Sequence, residues 1–181
     1  KTLRHLMVGG EALVSVVPPK GYILHNEYGP SECTLFVTSY PVMRDYPGAV
    51  PLGKAIGEVE IYLLDENGDK VSDGKIGELC ISGPHLAKGY LNRPELTKKF
   101  FVPNPYSNDP KYRRIYHTGD LARMNGEGLL EYVGRKDRQV KIRGYRIEPS
   151  EVEALLNSYE GIKNVVVTAR KIGGQNLLVA Y

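Results

Sequence analysis

The sequence of 181 residues has no tryptophan, two cysteines and no long apolar run. Cys33 and Cys80 are 47 positions apart, which fits neither the spacing of zinc ligands nor a dense disulfide framework, so we expect a reducing compartment. The longest uninterrupted apolar run, Leu177 to Tyr181, is far shorter than the ~20 residues that cross a bilayer. We therefore expect a cytoplasmic protein with no membrane partner.

Several common functions also lack support in the sequence. Lys and Arg together number 24 against 21 Asp and Glu, and the formal charge of +3 does not demand a nucleic-acid partner. The phosphate-loop motif G-x-x-x-x-G-K-[ST], the metalloprotease motif H-E-x-x-H and the hydrolase motif G-x-S-x-G are absent. The four histidines are scattered, which favours packing or surface roles, and no Cys/His cluster with zinc spacing occurs.

Glycine is abundant, with 20 residues, so many positions need unusual backbone geometry or a close approach to a ligand. The pattern predicts a first strand that ends in Gly9-Gly10, and strands over 21–26 and 34–40 that flank a polar turn. Further on, Asn67-Gly68 predicts a hairpin. The pattern also predicts strands over 78–82, 114–117, 121–123 and 129–133, and a short helix over 94–101.

After Gly134 the chain becomes strongly basic, which suggests a linker or hinge. Ser150 and Glu153 form the pattern of a capping box, and apolar residues at helical spacing predict a helix over 151–159. Strands over 163–170 and 176–181, joined by Gly173-Gly174, are expected to follow. The apolar ending suggests a truncated domain.

Four clusters could carry chemistry, and each also has a plain structural interpretation. Gly9-Gly10-Glu11 could bring a backbone close to a ligand. The turn 26–32 offers an aromatic face, a hydroxyl and carboxylates, the equipment for a nucleotide with Mg²⁺. Thr118-Gly119-Asp120 could accept hydrogen bonds from a ribose. The basic segment 134–146 could clamp phosphates, bind nucleic acid or form a solvated ribbon.

In this order the clusters resemble the adenylate-forming superfamily, and most closely the amino-acid-activating adenylation domains of nonribosomal peptide synthetases. Residues 26–32, NEYGPSE, are similar to N-x-Y-G-P-T-E. Residues 77–101 resemble G-E-L-x-I-x-G-x-G-L-A-x-G-Y-x-N-R-P-E-L-T-x-x-x-F. Residues 116–121 resemble Y-[RK]-T-G-D-L, and residues 134–148 resemble G-R-x-D-x-Q-V-K-I-R-G-x-R-I-E.

The resemblance implies an α+β fold. Residues 1–135 would form a β-rich, distorted-barrel subdomain from the back of the large adenylation domain. Residues 136–138 would be a hinge centred on Asp137, and residues 139–181 a truncated small α+β domain. The implied activity is ATP-dependent formation of an aminoacyl-adenylate with Mg²⁺, followed by loading onto the phosphopantetheine of a peptidyl or acyl carrier domain, among other synthetase modules.

The resemblance also assigns residues. Ser31, Glu32 and Lys141 would be catalytic, and Glu32 would hold the metal. The nucleotide would contact Gly9, Gly10, Glu11, Asn26, Tyr28, Gly29, Ser31, Asp120, Tyr132 and Arg135, with Tyr28 stacked on adenine and Asp120 on the ribose. The acyl pocket would be lined by Met7, Gly9, Glu27, Leu35 and Phe36. We expect Glu27 to favour a substrate side chain with a hydrogen-bond donor or a positive charge, since an unpaired buried charge is costly.

Departures from the motifs leave alternatives open. Ser31 replaces Thr, and His85 replaces Gly. His117 stands where Arg or Lys is common; a histidine at this position also occurs in D-alanine–carrier ligases and acyl-CoA ligases. A non-catalytic binding or scaffold remnant is the alternative of another class. The family's phosphate loop would lie upstream of these residues, and its late lysine downstream. We therefore expect the isolated 181 residues to form adenylates at no useful rate.

Overall fold

The structure is a computed structural model and describes residues 2–172 and 175–181. The chain divides into two compact units, Lys1–Lys136 and Asp137–Tyr181. This division falls within the segment 136–138 that the sequence predicts to be a hinge; its action as a hinge stays a prediction. Among the described residues, the helices are all too short or too polar to cross a membrane.

The first unit is mostly β. Its strands are, in chain order, β1 (His5–Gly9), β2 (Val14–Val16), β3 (Ile23–Tyr28), β4 (Thr38–Pro41), β5 (Tyr46–Ala49), β6 (Lys54–Ala55), β7 (Glu60–Leu64), β8 (Gly77–Ser82), β9 (Phe101–Pro103), β10 (Arg114–Met124) and β11 (Leu130–Arg135), with helix α1 (Pro94–Phe100) between β8 and β9. One sheet has the order β1-β3-β4-β6, and another has the order β11-β10-β8-β7 with β9 paired to β10. Strands β2 and β5 form a separate pair.

The main core of this unit is built from alternate residues of the second sheet. Leu79, Ile81 and Tyr116 are fully buried, and they pack with Phe101 and Leu130 in one cluster. Residues two apart in a strand share a face, so the intervening residues of β8 and β10 form the opposite face. That opposite face carries Cys80 and His117, which pair with each other across the two strands.

Strand β10 contains an irregularity that the sequence did not reveal. His117 pairs with Cys80 and Leu121 pairs with Glu78, so the three residues 118–120 stand opposite Leu79 alone. Gly119 takes a φ of +73° there, a conformation that favours glycine. The Thr118 hydroxyl donates to the Leu79 carbonyl at 2.6 Å and accepts from the Asp120 amide at 2.9 Å. We call residues 118–120 the β10 bulge.

The predicted strand over 34–40 is wrong in its first half. Residues Ser31–Cys33 form a short 3₁₀ helix, and Thr34 has a φ of +73°, so the extended strand begins only at Thr38. The reason is a close backbone approach between the turn and the segment after it. A Cβ on Gly29 would lie 1.8 Å from the Leu35 carbonyl oxygen.

The second unit contains a hairpin, a helix and a second strand pair. Its elements are β12 (Val140–Ile142), β13 (Tyr145–Ile147), α2 (Pro149–Asn157), β14 (Val167–Ile172) and β15 (Gln175–Ala180). The hairpin turns at Arg143 and Gly144, with φ of +52° and +79°, as a two-residue turn between twisted strands requires. The predicted Gly173-Gly174 turn lies outside the described residues.

The predicted capping box of α2 is wrong. Helix α2 begins at Pro149, its N-cap is Glu148, and no side chain caps it. Glu153 instead binds the Arg138 guanidinium at 2.7 Å and accepts from the Val167 amide at 2.7 Å. These partners are 15 and 14 positions away, so a local motif could not predict them. The α+β fold class itself is confirmed.

Candidate nucleotide and substrate site

Two parallel strands bring the predicted acyl-pocket residues together. Strands β1 and β3 pair so that Met7 lies opposite His25 and Gly9 lies opposite Glu27. A Cβ on Gly9 would lie 2.4 Å from the Glu27 carbonyl oxygen and 3.2 Å from the Phe36 ring. A larger residue at position 9 would therefore push these neighbours apart.

The other two predicted pocket residues are more open. Met7 is two positions before Gly9 and shares its strand face. Its side chain is 60% exposed, and Leu35 is 63% exposed. The structure therefore places Gly9, Glu27 and Phe36 in contact range, whereas Met7 and Leu35 stand at the open side.

Glu27 is a buried carboxylate with polar neighbours. It is 5% exposed, and its Oε1 accepts a hydrogen bond from the Ser39 hydroxyl at 2.8 Å. His25 Nδ1 lies 4.0 Å from the same oxygen, and His25 Nε2 contacts His5 Nδ1 at 2.9 Å. The pocket wall is therefore more polar than the sequence predicted, because Ser39 and His25 lie beside the acid.

Asp120 is held between two predicted nucleotide residues. The Tyr28 hydroxyl donates to its Oδ2 at 2.5 Å, and Arg135 Nη1 binds its Oδ1 at 2.7 Å. Arg135 lies directly opposite Asp120 on the neighbouring strand. Burial and the nearby Asp120 charge raise the pKa of Tyr28 well above its usual value, so the phenol stays a hydrogen-bond donor.

Asn26 and Tyr132 are two further predicted nucleotide residues. Asn26 is 3% exposed, and its Nδ2 donates to the carbonyls of Val50 and Pro51 at 3.3 and 2.8 Å. Its amide nitrogen is thus bound to backbone. Tyr132 lies opposite Ala122 and packs against the main core.

Ser31 and Glu32 differ in exposure although they are neighbours. Ser31 is exposed at the start of the 3₁₀ helix, whereas Glu32 is buried. Glu32 Oε1 accepts a hydrogen bond of 2.7 Å from the Tyr90 hydroxyl. Tyr90 is in the predicted 77–101 motif, so that motif holds the carboxylate of the 26–32 turn.

The other predicted residues are Gly10, Glu11, Lys141 and Asp137. Gly10 and Glu11 are exposed, and Gly10 has a φ of +98°. Lys141 and Asp137 belong to the second unit. Lys141 lies in β12 opposite Arg146, and Asp137 Oδ1 accepts from the Gln139 amide at 3.1 Å.

The family model described as AMP-binding enzyme matches residues 1–91. The chain belongs to the AMP-binding enzyme family. It is 45% identical over 181 residues to bacitracin synthase 1 of Bacillus licheniformis, covering 99% of this chain and 3% of that protein. It is 46% identical over 192 residues to surfactin synthase subunit 1 of Bacillus subtilis (strain 168), covering 99% of this chain and 5% of that subunit. The resemblance predicted from the motifs is confirmed.

A solved relative agrees with the fold of this AMP-binding chain. The structure of PA1221, described as an NRPS protein containing adenylation and PCP domains, superposes with a TM-score of 0.82 at 34% identity. The match covers 98% of this chain and 37% of that one. The AMP-binding chain thus spans a small part of the length of its relatives.

Glu78 is a fixed position of the 77–101 motif but received no predicted role, and the structure places it beneath the β10 bulge. Its Oε1 accepts from the Gly119 amide at 3.1 Å, and its Oε2 lies 3.4 Å from His117 Nδ1 and 3.6 Å from Lys136 Nζ. Burial alone would raise the pKa of Glu78, but His117, the Gly119 amide and Lys136 together lower it. The sequence signal was a carboxylate inside an otherwise apolar strand.

Proposed function

We propose that the protein containing this chain is an ATP-dependent ligase that activates an amino acid and loads it onto a carrier domain. The observation that carries the proposal is the buried carboxylate of Asp120 on the β10 bulge. Hydrogen bonds from Tyr28 and Arg135 fix its orientation. Its two oxygens are oriented by two neighbours, which suits them to accept hydrogen bonds from a ribose diol. The similarity to peptide synthetases supports the same conclusion.

The proposed reaction has two steps. In the first, a carboxylate oxygen of the amino acid attacks the α-phosphorus of ATP, the bond to pyrophosphate breaks, and an aminoacyl-adenylate forms. In the second, the thiol sulfur of phosphopantetheine attacks the acyl carbon, the thiol proton is released, and AMP leaves. No oxidation or reduction occurs in either step.

In this scheme the nucleotide is held by the residues around Asp120. Asp120 accepts from the ribose hydroxyls, while Arg135 and Tyr28 keep its carboxylate in one orientation. Tyr28 is 8% exposed, and adenine would pack on the part of its side chain that remains accessible. Asn26 Oδ1 would accept from the base, and Tyr132 would lie beside the ribose. Gly9, Gly10, Glu11 and Gly29 would allow close approach of the backbone.

The Glu32 carboxylate is the proposed ligand for Mg²⁺, and the neighbouring Ser31 hydroxyl is the proposed phosphate contact. A carboxylate supplies hard oxygen ligands, and Mg²⁺ usually combines one or two carboxylates with the phosphates of its substrate. When bound, Mg²⁺ would neutralise charge on the phosphates. Ser31, which is exposed, would contact a phosphate oxygen, and Glu32 would hold the ion.

The acyl pocket determines the substrate class in this proposal. Met7, Gly9, Leu35 and Phe36 supply apolar or small surface, and Glu27 supplies a negative charge. A substrate side chain with a hydrogen-bond donor or a positive charge would pair with Glu27, whereas a purely apolar side chain would leave the carboxylate poorly compensated.

Lys141 and Asp137 have proposed roles that depend on movement of the second unit. Asp137 would be the hinge position that absorbs the backbone rotation, and the segment from Lys141 to Gly144 would enter the site in one of two states. These roles are taken from the motif 134–148, which resembles the junction of the family's two domains.

The test is ATP–pyrophosphate exchange by the full-length protein, measured across a panel of amino acids. Exchange with one class of amino acid, lost in Asp120→Ala, is the expected result. Transfer of the activated substrate is then compared between a carrier domain and free coenzyme A, because His117 also occurs in carrier ligases for D-alanine and in acyl-CoA ligases. Loading of coenzyme A alone would favour the acyl-CoA ligase. No exchange with any carboxylate would overturn the proposal and favour a binding or scaffold role.

A further inference from the structure

A cluster of three different metal-ligating side chains lies on the face of the second sheet opposite the main core. It consists of Glu78, Cys80 and His117, whose ligand atoms all lie within 4.8 Å of one another. Within residues 2–172 and 175–181, it is the only group of three His, Cys, Asp or Glu side chains whose ligand atoms lie this close together. It does not include Glu32, which is proposed above to hold Mg²⁺.

The register of the sheet holds these side chains together. Glu78 and Cys80 are two positions apart on β8 and share a face. His117 lies directly opposite Cys80 on β10, so its side chain emerges on that same face. Because the ligands are divided between strands 37 positions apart, the cysteine and histidine spacings in the sequence gave no sign of the cluster.

Two of the three ligand-atom separations match a tetrahedral site. Cys80 Sγ lies 3.4 Å from His117 Nδ1, and Glu78 Oε2 lies 3.4 Å from the same nitrogen. Bonds of about 2.0–2.3 Å from zinc to N, O and S ligands, at tetrahedral angles, separate neighbouring ligand atoms by about 3.4–3.6 Å. The third pair, Cys80 Sγ and a carboxylate oxygen of Glu78, lies within 4.8 Å, so one ion can bring all three ligands together by a movement of these two side chains.

We propose that Glu78, Cys80 and His117 bind a thiophilic divalent cation of the Zn²⁺ class through Oε2, Sγ and Nδ1. Three protein ligands leave a fourth position for water. Cys80 is fully buried, whereas the side chains of Glu78 and His117 are 12% and 28% exposed, so an ion enters from their side. Nothing assigned to the activation reaction above requires this ion.

The Cys80 thiol proton and the Lys136 ammonium group both oppose binding of a cation. Burial raises the pKa of the Cys80 thiol, so an ion must replace the thiol proton, and one proton is released to solvent for each ion bound. Lys136 Nζ lies 3.6 Å from Glu78 Oε2, but its side chain is 51% exposed and can turn into water. Glu78 Oε1 keeps its hydrogen bond from Gly119, which links the cluster to the β10 bulge.

The test is a titration of the full-length protein with Co²⁺, a coloured substitute for Zn²⁺, after treatment with a chelator. Thiolate bound to Co²⁺ gives a charge-transfer absorption band. The variant Cys80→Ser removes the proposed thiolate with little change in volume. Cys33→Ser is the matched control, because Cys33 is also a free and buried cysteine.

We expect the charge-transfer band to have the same intensity in the wild type and in Cys33→Ser, and to disappear when Zn²⁺ is added. In Cys80→Ser the intensity should be lower by the amount that corresponds to one thiolate-bound Co²⁺ per protein. His117→Gln, which keeps Cys80, should weaken Co²⁺ binding at least tenfold. Circular dichroism of each variant establishes that it is folded. A Cys80→Ser spectrum equal to that of the wild type would overturn the proposal, and so would His117→Gln binding Co²⁺ as tightly as the wild type.

Discussion

Tyr28 and Asp120 are 92 positions apart, and the hydroxyl of the first donates a hydrogen bond of 2.5 Å to Oδ2 of the second. Both residues are buried. This bond connects the turn after β3 to the β10 bulge, so two motifs that are distant in the chain act on one carboxylate. The orientation of Asp120 thus depends on Tyr28 as well as on Arg135.

Replacing Tyr28 with Phe should weaken ATP binding. The variant keeps the ring but removes the donor to Asp120, and a hydrogen bond to a charged group contributes about 1.5–3 kcal/mol. We expect the KM for ATP in pyrophosphate exchange to rise about tenfold or more. Tyr159→Phe, at a tyrosine that is 61% exposed, is the control. An unchanged KM in Tyr28→Phe would show that Arg135 alone orients Asp120.

Replacing Glu27 with Gln should change substrate preference without emptying the pocket. Gln keeps the size of the side chain and can still accept from Ser39, but it removes the charge. We expect kcat/KM for an amino acid with a cationic side chain to fall about tenfold or more relative to a neutral one. Glu66→Gln, on the exposed Asn67-Gly68 turn, should leave the ratio unchanged. A ratio that is the same in Glu27→Gln and the wild type would refute the role of the charge.

Replacing Gly29 with Ala should disrupt the turn 26–32. A Cβ there would lie 1.8 Å from the Leu35 carbonyl oxygen, so the backbone must move. Overpacking of this kind costs about 1–3 kcal/mol or more. We expect a lower midpoint of thermal unfolding and loss of pyrophosphate exchange. Gly126→Ala is the matched control, because a Cβ on Gly126 meets nothing within 4 Å. Equal midpoints for the two variants would contradict the proposed strain.

The contacts of Glu153 should weaken in acid. Its hydrogen bonds from Arg138 and from the Val167 amide lower its pKa. A lowered pKa in the folded state means that the carboxylate stabilises the fold above its ordinary pKa of about 4.3, and that this contribution is lost as the pH falls through the folded value. The Val167 amide reports on this because it donates directly to Glu153.

The measurement is hydrogen exchange of the Val167 amide in the full-length protein between about pH 6 and about pH 3. Its protection factor should fall with pH in the wild type. In Glu153→Gln, protection should already be reduced at the higher pH and should depend little on pH. Glu151→Gln, on the same helix, is the control. If Glu153→Gln shows the wild-type pH dependence, another group is responsible.

Local patterns predicted local structure well. Proline at the start of α1 produces the predicted helix, and the Asn67-Gly68 turn reverses the chain as predicted, since both depend on backbone preferences of adjacent residues. The hairpin around this turn is reduced to a single bridge between Leu64 and Lys70, because β7 pairs with β8. The first half of the 34–40 strand was wrong because the contact of Gly29 with Leu35 bends the chain there. The capping box was wrong because Glu153 has better partners in Arg138 and Val167.

In the candidate site, too, the sequence predicted what its motifs contain and missed what depends on contacts between strands. The motifs predicted that Tyr28, Asp120 and Arg135 are nucleotide residues, and the structure brings these three together; their roles toward the nucleotide stay predictions. The motifs could not identify the Ser39 contact with Glu27 or the cluster around Cys80. Those contacts depend on which strands pair and in what register, and this information is not present in the spacing of residues along one segment.

The β10 bulge restricts how this region can change in length. Residues 118–120 replace the single residue that a regular pairing would place opposite Leu79, so the strand carries two extra residues. Two is an even number, and side chains alternate across a strand, so the alternation of faces continues unbroken from His117 to Leu121. Loss or gain of one residue would turn the fully buried Ala122 outward and the exposed Arg123 inward. A hybrid enzyme that joins two relatives inside this segment must therefore conserve its residue count, or change it by two and give up the present placement of Asp120.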